Sequence, residues 1–352
     1  MNAPAPPFPP ARTLRTADDL LAAGLVGAEE AARLARVLAE FSLAITPAVA
    51  EAIRADPAGG VARQYLPTDA ELERTPEELA DPIGDEAHSP VKGIVHRYPD
   101  RALLKPLHAC AVYCRFCFRR EQVGEGGDAL SPAELDTALG YIEATPAIWE
   151  VILSGGDPLI LSPRRLGLIR DRLEAIPHVR VVRVHTRVPV AAPERVTDAL
   201  VSSLKRKKPT YVAVHANHPD ELTAPARDAL DRLADAGLPL LGQSVLLRGV
   251  NDDPATLERL LRGLVEARVK PYYLHQGDLA RGTAHFRVPV EEGRALAAGL
   301  RGRVSGLCQP VLTLDIPGGH GKVPLNADWL RRDADGRLAV RDPSGRWHPH
   351  PG

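Results

Sequence analysis

Apolar and polar positions follow two different patterns along the chain of 352 residues. From residue 16 to residue 55, apolar residues recur every three or four positions, which predicts amphipathic helices. The pair Thr46-Pro47 indicates a break in this region and the start of a new helix. Residues 56–92 are polar and rich in proline and acids, so we expect short helices and loops there. From about residue 100, short apolar runs alternate with amphipathic stretches.

Seven of these apolar runs are strand candidates, and five of the stretches between them are helix candidates. The predicted strands are 102–107, 150–153, 179–185, 211–214, 239–246, 271–274 and 311–314. The predicted helices are 131–145, 163–175, 193–204, 224–236 and 254–267. Strands that are apolar almost throughout and alternate with helices indicate a parallel sheet covered on its outer face. The sequence therefore predicts an α/β fold, a complete or partial βα barrel, with its chemistry at the carboxyl ends of the strands.

The change of pattern divides the chain into three predicted parts. Residues 1–92 form an N-terminal arm and a helical extension, and residues 93–317 form the barrel. Residues 318–352 form a loop that carries Lys322 and a short C-terminal tail. The first dozen residues are rich in proline, which is typical of a flexible arm.

Composition narrows the class of protein. Hydrophobic residues make up 44% of the chain and charged residues 25%, which are ordinary values for a globular protein. The formal net charge is −1, so no strong field favours nucleic acid or an anionic membrane. The start of the chain lacks the apolar core of a signal peptide, and no apolar run approaches the length of a membrane span. Together with cysteines that we expect to be reduced, these features predict a cytoplasmic protein.

Three of the four cysteines lie within eight residues: Cys110, Cys114 and Cys117. Three thiolates can hold three irons of a cubic [4Fe-4S] cluster and leave the fourth iron open to a substrate or cosubstrate. A structural zinc site is the alternative, with His108 as a fourth ligand, because such sites need four ligands. A disulfide framework does not suit a long chain with so few cysteines.

Polar residues follow the predicted strands at the end where the chemistry of a βα barrel gathers. Gly155 and Gly156 follow the second strand, where the missing Cβ atoms would let the backbone approach a ligand, although a simple turn also explains them. The other segments at this rim are Cys110, residues 185–187, residues 215–218, Gln243-Ser244, Asp278 and Asp315. Seven segments that meet at one rim predict a functional site, whereas any one of them alone could be a cap or a loop.

A second glycine-rich segment runs from Asp315 to Lys322, with the sequence Asp-Ile-Pro-Gly-Gly-His-Gly-Lys. A lysine in such a loop can approach a flat cofactor with little hindrance, and lysine is the residue that binds pyridoxal phosphate (PLP) covalently. A phosphate-binding loop or a flexible loop with an exposed lysine is the alternative. The spacing differs from the Walker pattern, which argues against a nucleotide P-loop.

The chain resembles the lysine 2,3-aminomutases, which are radical S-adenosylmethionine (SAM) enzymes that also use PLP. The C-x3-C-x2-C spacing with Phe116 before the last cysteine resembles the radical SAM signature. The resemblance extends over residues 97–324 and includes residues 98–101, 110–120, 154–158, 185–189, 217–219, 243–251, 271–273, 278, 285–287 and 315–322. It implies a radical SAM partial (β/α)6 TIM-like barrel that binds a [4Fe-4S] cluster, SAM and PLP.

The resemblance also implies roles for individual residues. Cys110, Cys114 and Cys117 would hold the cluster, and Lys322 would bind PLP covalently. The positions that match PLP phosphate ligands are Arg97, Tyr98 and Arg101. The positions that match the SAM site are Ser154, Gly155, Gly156, Asp157, His215 and Gln243. Arg119 matches the ligand of the substrate carboxylate, and Asp278 and Asp315 match the two acids that bind the distal ammonium of lysine.

The implied reaction is the conversion of L-lysine to β-lysine, with a small electron donor such as flavodoxin or ferredoxin. Three alternatives stay open: a relative that makes β-lysine for elongation factor P, an aminomutase for another amino acid, and a non-catalytic iron-sulfur module. Three departures from the family stand out. His320 replaces a usual glycine, His275 stands where tyrosine is more common, and the tail lacks the family's zinc-binding cysteines. The last departure leaves open whether the chain forms a homo-oligomer.

Overall fold

The computed structural model describes residues 12–124, 129–326, 328–332 and 337–350. Most of the predicted proline-rich arm, residues 1–11, lies outside this part of the chain. No helix within the described residues is both long enough and apolar enough to cross a membrane.

The N-terminal extension consists of four short helices. They are α1 (Ala17–Ala22), α2 (Ala28–Glu40), α3 (Pro47–Ala55) and α4 (Gly60–Tyr65). The predicted helix start at Thr46-Pro47 is confirmed, because the Thr46 side chain accepts a hydrogen bond from the Val49 N–H at 3.4 Å and caps α3. The apolar faces of these helices pack together into a buried core. This core also includes Val112 of the cysteine loop, which is the segment of residues 110–120. The extension therefore packs directly on the segment that carries the cysteines.

The barrel part is built on one nine-stranded sheet whose strands follow one another in chain order. They are β1 (Ile94–Tyr98), β2 (Arg101–Leu104), β3 (Glu150–Leu153), β4 (Val181–Thr186), β5 (Thr210–His215), β6 (Leu240–Val245), β7 (Val269–His275), β8 (Val311–Ile316) and β9 (Gly321–Pro324). Strands β2 to β8 pair in parallel, while β1 and β9 pair antiparallel with their neighbours at the two edges. All seven predicted strands are confirmed, and six βα units followed by a seventh parallel strand agree with the predicted (β/α)6 barrel.

Helices cover the outer face of this sheet. They are α5 (Pro132–Glu143), α6 (Pro163–Ala175), α7 (Val188–Ala191), α8 (Asp198–Leu204), α9 (Ala224–Asp235), α10 (Pro254–Glu266) and α11 (Val290–Gly299). Most begin at a serine, threonine or aspartate whose side chain accepts a backbone N–H, often followed by proline. Their buried leucine, isoleucine and valine residues form the main core together with the strands. The predicted helix 193–204 is shorter than expected, because residues 193–195 form a separate 3₁₀ turn.

The C-terminal tail contains a small antiparallel sheet that the sequence analysis did not predict. Its strands are β10 (Leu330–Arg332), β11 (Leu338–Arg341) and β12 (Trp347–His350). Lys322 lies before this sheet, on β9, which continues the main sheet. The division of the chain after residues 92 and 317 stays a prediction.

A buried carboxylate joins the extension to the cysteine loop. Glu71 accepts hydrogen bonds from Arg115 Nε and Nη2 at 2.6–3.0 Å and from Arg120 Nη2. Burial tends to raise the pKa of Glu71, but the two guanidinium groups outweigh it and hold the pKa below its ordinary value. Arg115 also donates to the Ser42 carbonyl at 2.9 Å. The cysteine loop is thereby fixed to the N-terminal helices by charge as well as by packing.

We expect Glu71→Gln to lower the free energy of unfolding by about 3–5 kcal/mol, because it leaves two buried guanidinium groups without their anion. The matched control is Asp171→Asn, which breaks an exposed ion pair with Arg206 and should cost less than about 1 kcal/mol. Urea denaturation of both variants under anaerobic conditions measures the difference. Equal midpoints for the two variants would contradict the anchoring role of Glu71.

Candidate active site

One cavity of about 750 Å³ lies at the carboxyl ends of the parallel strands. This volume is in the upper part of the range of about 300–1,000 Å³ that ligand sites occupy. Every residue that the sequence analysis assigned to the cluster, SAM, PLP or the substrate lines it: Arg97, Tyr98, Arg101, Cys110, Cys114, Cys117, Arg119, Ser154, Gly155, Gly156, Asp157, His215, Gln243, Asp278, Asp315 and Lys322. The structure thus brings these residues together, while their individual roles stay predictions.

Backbone hydrogen bonds join the glycine turn after β3 to the residues that precede Cys110. The Gly156 N–H donates to the Leu107 carbonyl and the Asp157 N–H donates to the Ala109 carbonyl, each at 2.9 Å. Gly155 has φ +106°, and a Cβ on Gly156 would overlap the carbonyl of Ala109. Both positions therefore need glycine for packing against the residues that precede Cys110, whatever they also contact in a bound ligand.

The three site cysteines are free thiols in an environment that disfavours an unpaired thiolate. Burial raises the pKa of all three, that of Cys114 to about 11 and that of Cys110 well above its ordinary value. Arg187 opposes this shift at Cys114, where its Nη1 lies 3.4 Å from the sulfur. Since metal binding deprotonates a coordinating thiol outright, bound iron would supply the positive charge that these partly buried sulfurs lack.

Arg187 itself is held by buried residues from three parts of the chain. Its Nη2 donates to Gln64 Oε1 at 2.5 Å and to Glu221. Its guanidinium also lies over the rings of Tyr65 and Phe116, 5.0 and 5.3 Å from their centroids. The sequence analysis placed Arg187 at the rim but did not predict this contact with Cys114.

Asp157 has a clear structural role. Its carboxylate accepts from the Thr186 hydroxyl at 2.8 and 2.9 Å and from the backbone N–H groups of Arg187 and Leu159 at 2.7 and 3.0 Å. Burial still keeps the pKa of Asp157 above its ordinary value. These bonds tie the turn after β3 to the end of β4. The predicted contact of Asp157 with SAM stays a prediction, and protein donors already use both carboxylate oxygens.

Three neutral histidines face the cavity from three strands of the sheet: His185 on β4, His215 on β5 and His275 on β7. Burial lowers the pKa of all three, that of His215 to about 3 and those of His185 and His275 well below the ordinary value. Nearby cations add to the shift, Arg183 at His185 and Lys322 at His275. These rings therefore offer one donor and one acceptor each rather than a positive charge.

Lys322 lies on β9 directly opposite Asp315 on β8, which brings their side chains together. Its ammonium group forms an ion pair with Asp315 and donates to His275 Nδ1 at 3.1 Å. Its backbone N–H donates to the Tyr98 hydroxyl at 2.7 Å. The predicted PLP lysine is thus held by groups from β1, β7 and β8.

The glycine loop before Lys322 packs against a segment of the N-terminal extension. A Cβ on Gly84 would lie 2.5 Å from the Gly319 nitrogen, and a Cβ on Gly319 would lie 2.8 Å from His88 Nε2. His88 Nε2 also contacts the Gly319 carbonyl at 3.2 Å. The loop therefore needs glycine for this close packing. His320 is exposed and does not line the cavity, so this departure from the family pattern does not crowd the site.

Asp85 binds two of the three arginines that the resemblance assigned to anions, Arg97 and Arg119. Its carboxylate accepts from Arg119 Nε at 2.8 Å and pairs with Arg97 Nη2 at 3.4 Å. Burial tends to raise the pKa of Asp85, but Arg119, Lys105 and Arg97 outweigh it, and the pKa is lowered. Sequence reasoning missed this residue because it lies in the polar stretch 56–92, which shows no periodic pattern. Close by, the guanidinium of Arg101 stacks over the Tyr98 ring at 3.9 Å.

Asp278 and Asp315 form an acidic pair in the cavity. Burial and the neighbouring Asp315 raise the pKa of Asp278 to about 7, although Lys322, Arg119 and Arg97 pull it down. Asp315 is compensated by Lys322 and by Arg97, whose Nη1 lies 3.6 Å from its carboxylate. Asp278 is therefore the acid that most needs a further cation at neutral pH.

The open sheet, the three cysteines and the large cavity at the strand ends define a radical SAM enzyme. A profile of the radical SAM superfamily matches residues 104–261, which span the cysteine loop and the barrel up to α10. The chain belongs to the lysine 2,3-aminomutase family of radical SAM isomerases. It therefore works with a [4Fe-4S] cluster, SAM and PLP.

Three relatives illustrate this membership. L-lysine 2,3-aminomutase of Clostridium subterminale is 42% identical over 318 residues, which cover 90% of this chain and 76% of that protein. L-lysine 2,3-aminomutase of Fusobacterium nucleatum is 40% identical and covers 94% of this chain and 78% of its own length. Glutamate 2,3-aminomutase of Clostridioides difficile is also 40% identical, over 75% of this chain and 63% of that protein. The family thus includes enzymes named for two substrates of different charge.

The residues of the cavity fit the three cofactors. Three free thiols face one space, and the buried His185 Nε2, His215 Nε2 and Arg97 Nε have no hydrogen-bond partner within the described chain. His108, the fourth ligand in the zinc alternative, does not line the cavity. Within the described ranges, no three His, Cys, Asp or Glu side chains are placed to hold a single metal ion. The polar atoms that have no partner can therefore bind ligands, and the three thiols can bind the iron-sulfur cluster.

We expect the triple replacement of Cys110, Cys114 and Cys117 by Ala to abolish near-stoichiometric binding of iron and sulfide, because no thiolate is left at the rim. Cys308→Ala is the control, since Cys308 is buried in a separate apolar core next to β8. Iron and sulfide analysis after anaerobic reconstitution measures both proteins. A cluster that persists in the triple variant, or disappears in the control, would contradict the assignment.

Proposed function

We propose that this aminomutase acts on L-lysine and converts it to β-lysine by moving the amino group from Cα to Cβ. The proposal rests on Asp278 and Asp315, two partly buried acids that share one cavity. Lysine has a second ammonium that can neutralise them, whereas the side-chain carboxylate of glutamate would be repelled. The negative charge of Asp278 and Asp315 is therefore the feature that favours lysine over glutamate, the two substrates named among the relatives.

The observation that carries the proposal is the Lys322 ammonium on the Asp315 carboxylate. A primary alkylammonium is the same chemical group as the end of a lysine side chain, so the chain itself illustrates such a group bound at this acid. A Lys322 that is bound covalently to PLP is no longer a free ammonium, which leaves Asp315 and Asp278 to a cation of the substrate.

The remaining residues bind and orient. We assign the substrate α-carboxylate to Arg119, because guanidinium groups bind carboxylates through two parallel hydrogen bonds. The PLP phosphate is assigned to Arg97, Tyr98 and Arg101, and SAM to Ser154, Gly155, Gly156, Asp157, His215 and Gln243. When bound, the cluster and SAM supply a 5′-deoxyadenosyl radical, and PLP carries the migrating amino group. The cavity walls hold these groups in place and exclude water.

A one-electron donor must reduce the resting cluster before catalysis begins, while the amino migration itself is an isomerisation that consumes no electron. We propose a small flavodoxin or ferredoxin for this step, in keeping with the cytoplasmic location that the composition predicts. The experiment that tests the proposed substrate uses enzyme reconstituted anaerobically with iron, sulfide, PLP and SAM. Product analysis with lysine, ornithine, glutamate and alanine, supplied one at a time, should give the fastest rearrangement for lysine.

We expect Asp278→Asn and Asp315→Asn to lower kcat/KM for lysine at least tenfold, because each loses a charged hydrogen-bond partner worth about 1.5–3 kcal/mol. Iron content should not change. Asp171→Asn, an exposed aspartate on α6, is the matched control and should keep full turnover. The proposal would be wrong if the wild type rearranged glutamate or alanine faster than lysine. It would also be wrong if both variants lost protein stability without a selective loss of lysine turnover.

The affinity for lysine should depend on the ionisation of Asp278. Its pKa in the ligand-free chain is raised from 3.8 to about 7, so the carboxyl is mostly neutral below that pH. Since lysine requires the carboxylate, the Kd should rise by up to about tenfold per unit as the pH falls from 7 towards 5. Titration of PLP-loaded enzyme with the cluster in its resting state, followed by absorbance, measures this. Asp278→Asn should bind weakly with no such slope, and an unchanged slope would exclude Asp278 as its source.

A further inference from the structure

His275 is the one side chain among the described residues that the structure places in hydrogen-bond contact with both Lys322 and Gln243. Its Nδ1 lies 3.1 Å from Lys322 Nζ, and its Nε2 lies 3.2 Å from Gln243 Oε1. Thr313 Oγ1 approaches Nδ1 at 3.5 Å from the opposite position on β8. The imidazole therefore stands between the predicted PLP lysine and a predicted SAM ligand on β6.

The hydrogen atoms on this ring follow from its partners. An ammonium group donates and does not accept, so the Nδ1 that faces Lys322 must be the acceptor. The ring is neutral, because burial and the charge of Lys322 lower the pKa of His275 well below its ordinary value. Its single proton is then on Nε2 and is donated to Gln243 Oε1. With that oxygen used, the Gln243 amide must turn its NH₂ group away from His275.

We propose that His275 is a positioning residue that couples the two halves of the cavity: a free Lys322 ammonium fixes the imidazole tautomer, and that tautomer fixes the Gln243 amide for SAM. The inference rests on the proposed roles of Lys322 and Gln243, but it does not depend on the identity of the amino acid substrate. It gives a function to a position at which the chain departs from the tyrosine that is more common in the family.

The coupling has a direction. When PLP is bound covalently to Lys322, Nζ no longer donates to Nδ1, the ring can take its other tautomer, and the bond to Gln243 Oε1 is lost. A substrate that replaced Lys322 on PLP would exchange one primary amine for another, which needs no oxidant or reductant. Lys322 would leave as an amine, gain the proton that the substrate ammonium loses, and again donate to His275 Nδ1, while Asp278 and Asp315 together face the distal ammonium of the substrate. SAM is thus held most tightly once the substrate is in place.

The test compares SAM affinity in PLP-free and PLP-loaded enzyme, both with the resting cluster, so that SAM is bound but not cleaved. Anaerobic calorimetry gives the two Kd values without any amino acid present. In the wild type, the PLP-free form should bind SAM at least about fivefold more tightly, the lower end of ordinary coupling between sites. His275→Phe keeps a ring but removes both hydrogen bonds, and its Kd ratio should approach one.

Two further variants make the result specific. His275→Gln can accept from Lys322 and donate to Gln243, so it should restore most of the ratio, while His348→Phe in the exposed part of the tail should leave the ratio unchanged. His275→Leu replaces the Phe variant if the latter fails to bind a cluster. A wild-type ratio near one, a full ratio in the Phe or Leu variant, or its loss in the Gln variant would overturn the proposal. Failure of lysine as a substrate would leave these Kd values untouched, so the two proposals fail separately.

Discussion

The Glu71 carboxylate holds Arg115 and Arg120 against the N-terminal helices, and these two arginines flank Cys117 in the chain. A cluster with one open iron needs its three thiolates at fixed positions, yet residues 105–124, which carry the three cysteines, form no helix or strand. The buried ion pair supplies that order, together with Arg187, which joins Cys114 to α4 and to Glu221. The helical extension is thereby part of the active site, although its helices contribute no residue that we assign to cofactor chemistry.

Charge and close packing also fix the part of the cavity around Lys322. The segment around Asp85 holds Arg119 and Arg97 by charge, while Gly84 and His88 hold the glycine loop by close packing. The short segment of residues 84–88 thus positions Arg97, Arg119 and the glycine loop, which come from different parts of the chain. Asp85 is paired with Arg97 and Arg119, and Asp315 is paired with Arg97 and Lys322.

Much of this arrangement could be predicted from the sequence because its signals are local. Apolar runs predicted the seven parallel strands, and cysteine spacing and the glycine-lysine loop predicted residues that the fold brings to one rim. Glu71, Asp85 and the network around Arg187 could not be predicted, since their partners lie 12 to 123 residues away and no periodic pattern indicates the pairing. The strands of the tail were missed because Leu330–Arg332 is exposed and shows no apolar alternation. Both glycine segments were expected to make room for ligands, and the structure adds a packing reason for each.

The contact between residues 84–88 and the loop before Lys322 has a consequence for how the enzyme is made. The segment with Asp85 leaves the ribosome early, but its packing partner at Gly319 follows more than two hundred residues later, as does β9. Until β9 has emerged, the edge of β8 and the Asp315 carboxylate lack Lys322. Since domains form as the chain is synthesised, the cysteine loop can fold on the N-terminal helices well before the PLP site exists. Cluster insertion can therefore follow the emergence of Glu221 and precede that of β9, whereas covalent capture of PLP must wait for Lys322 on β9.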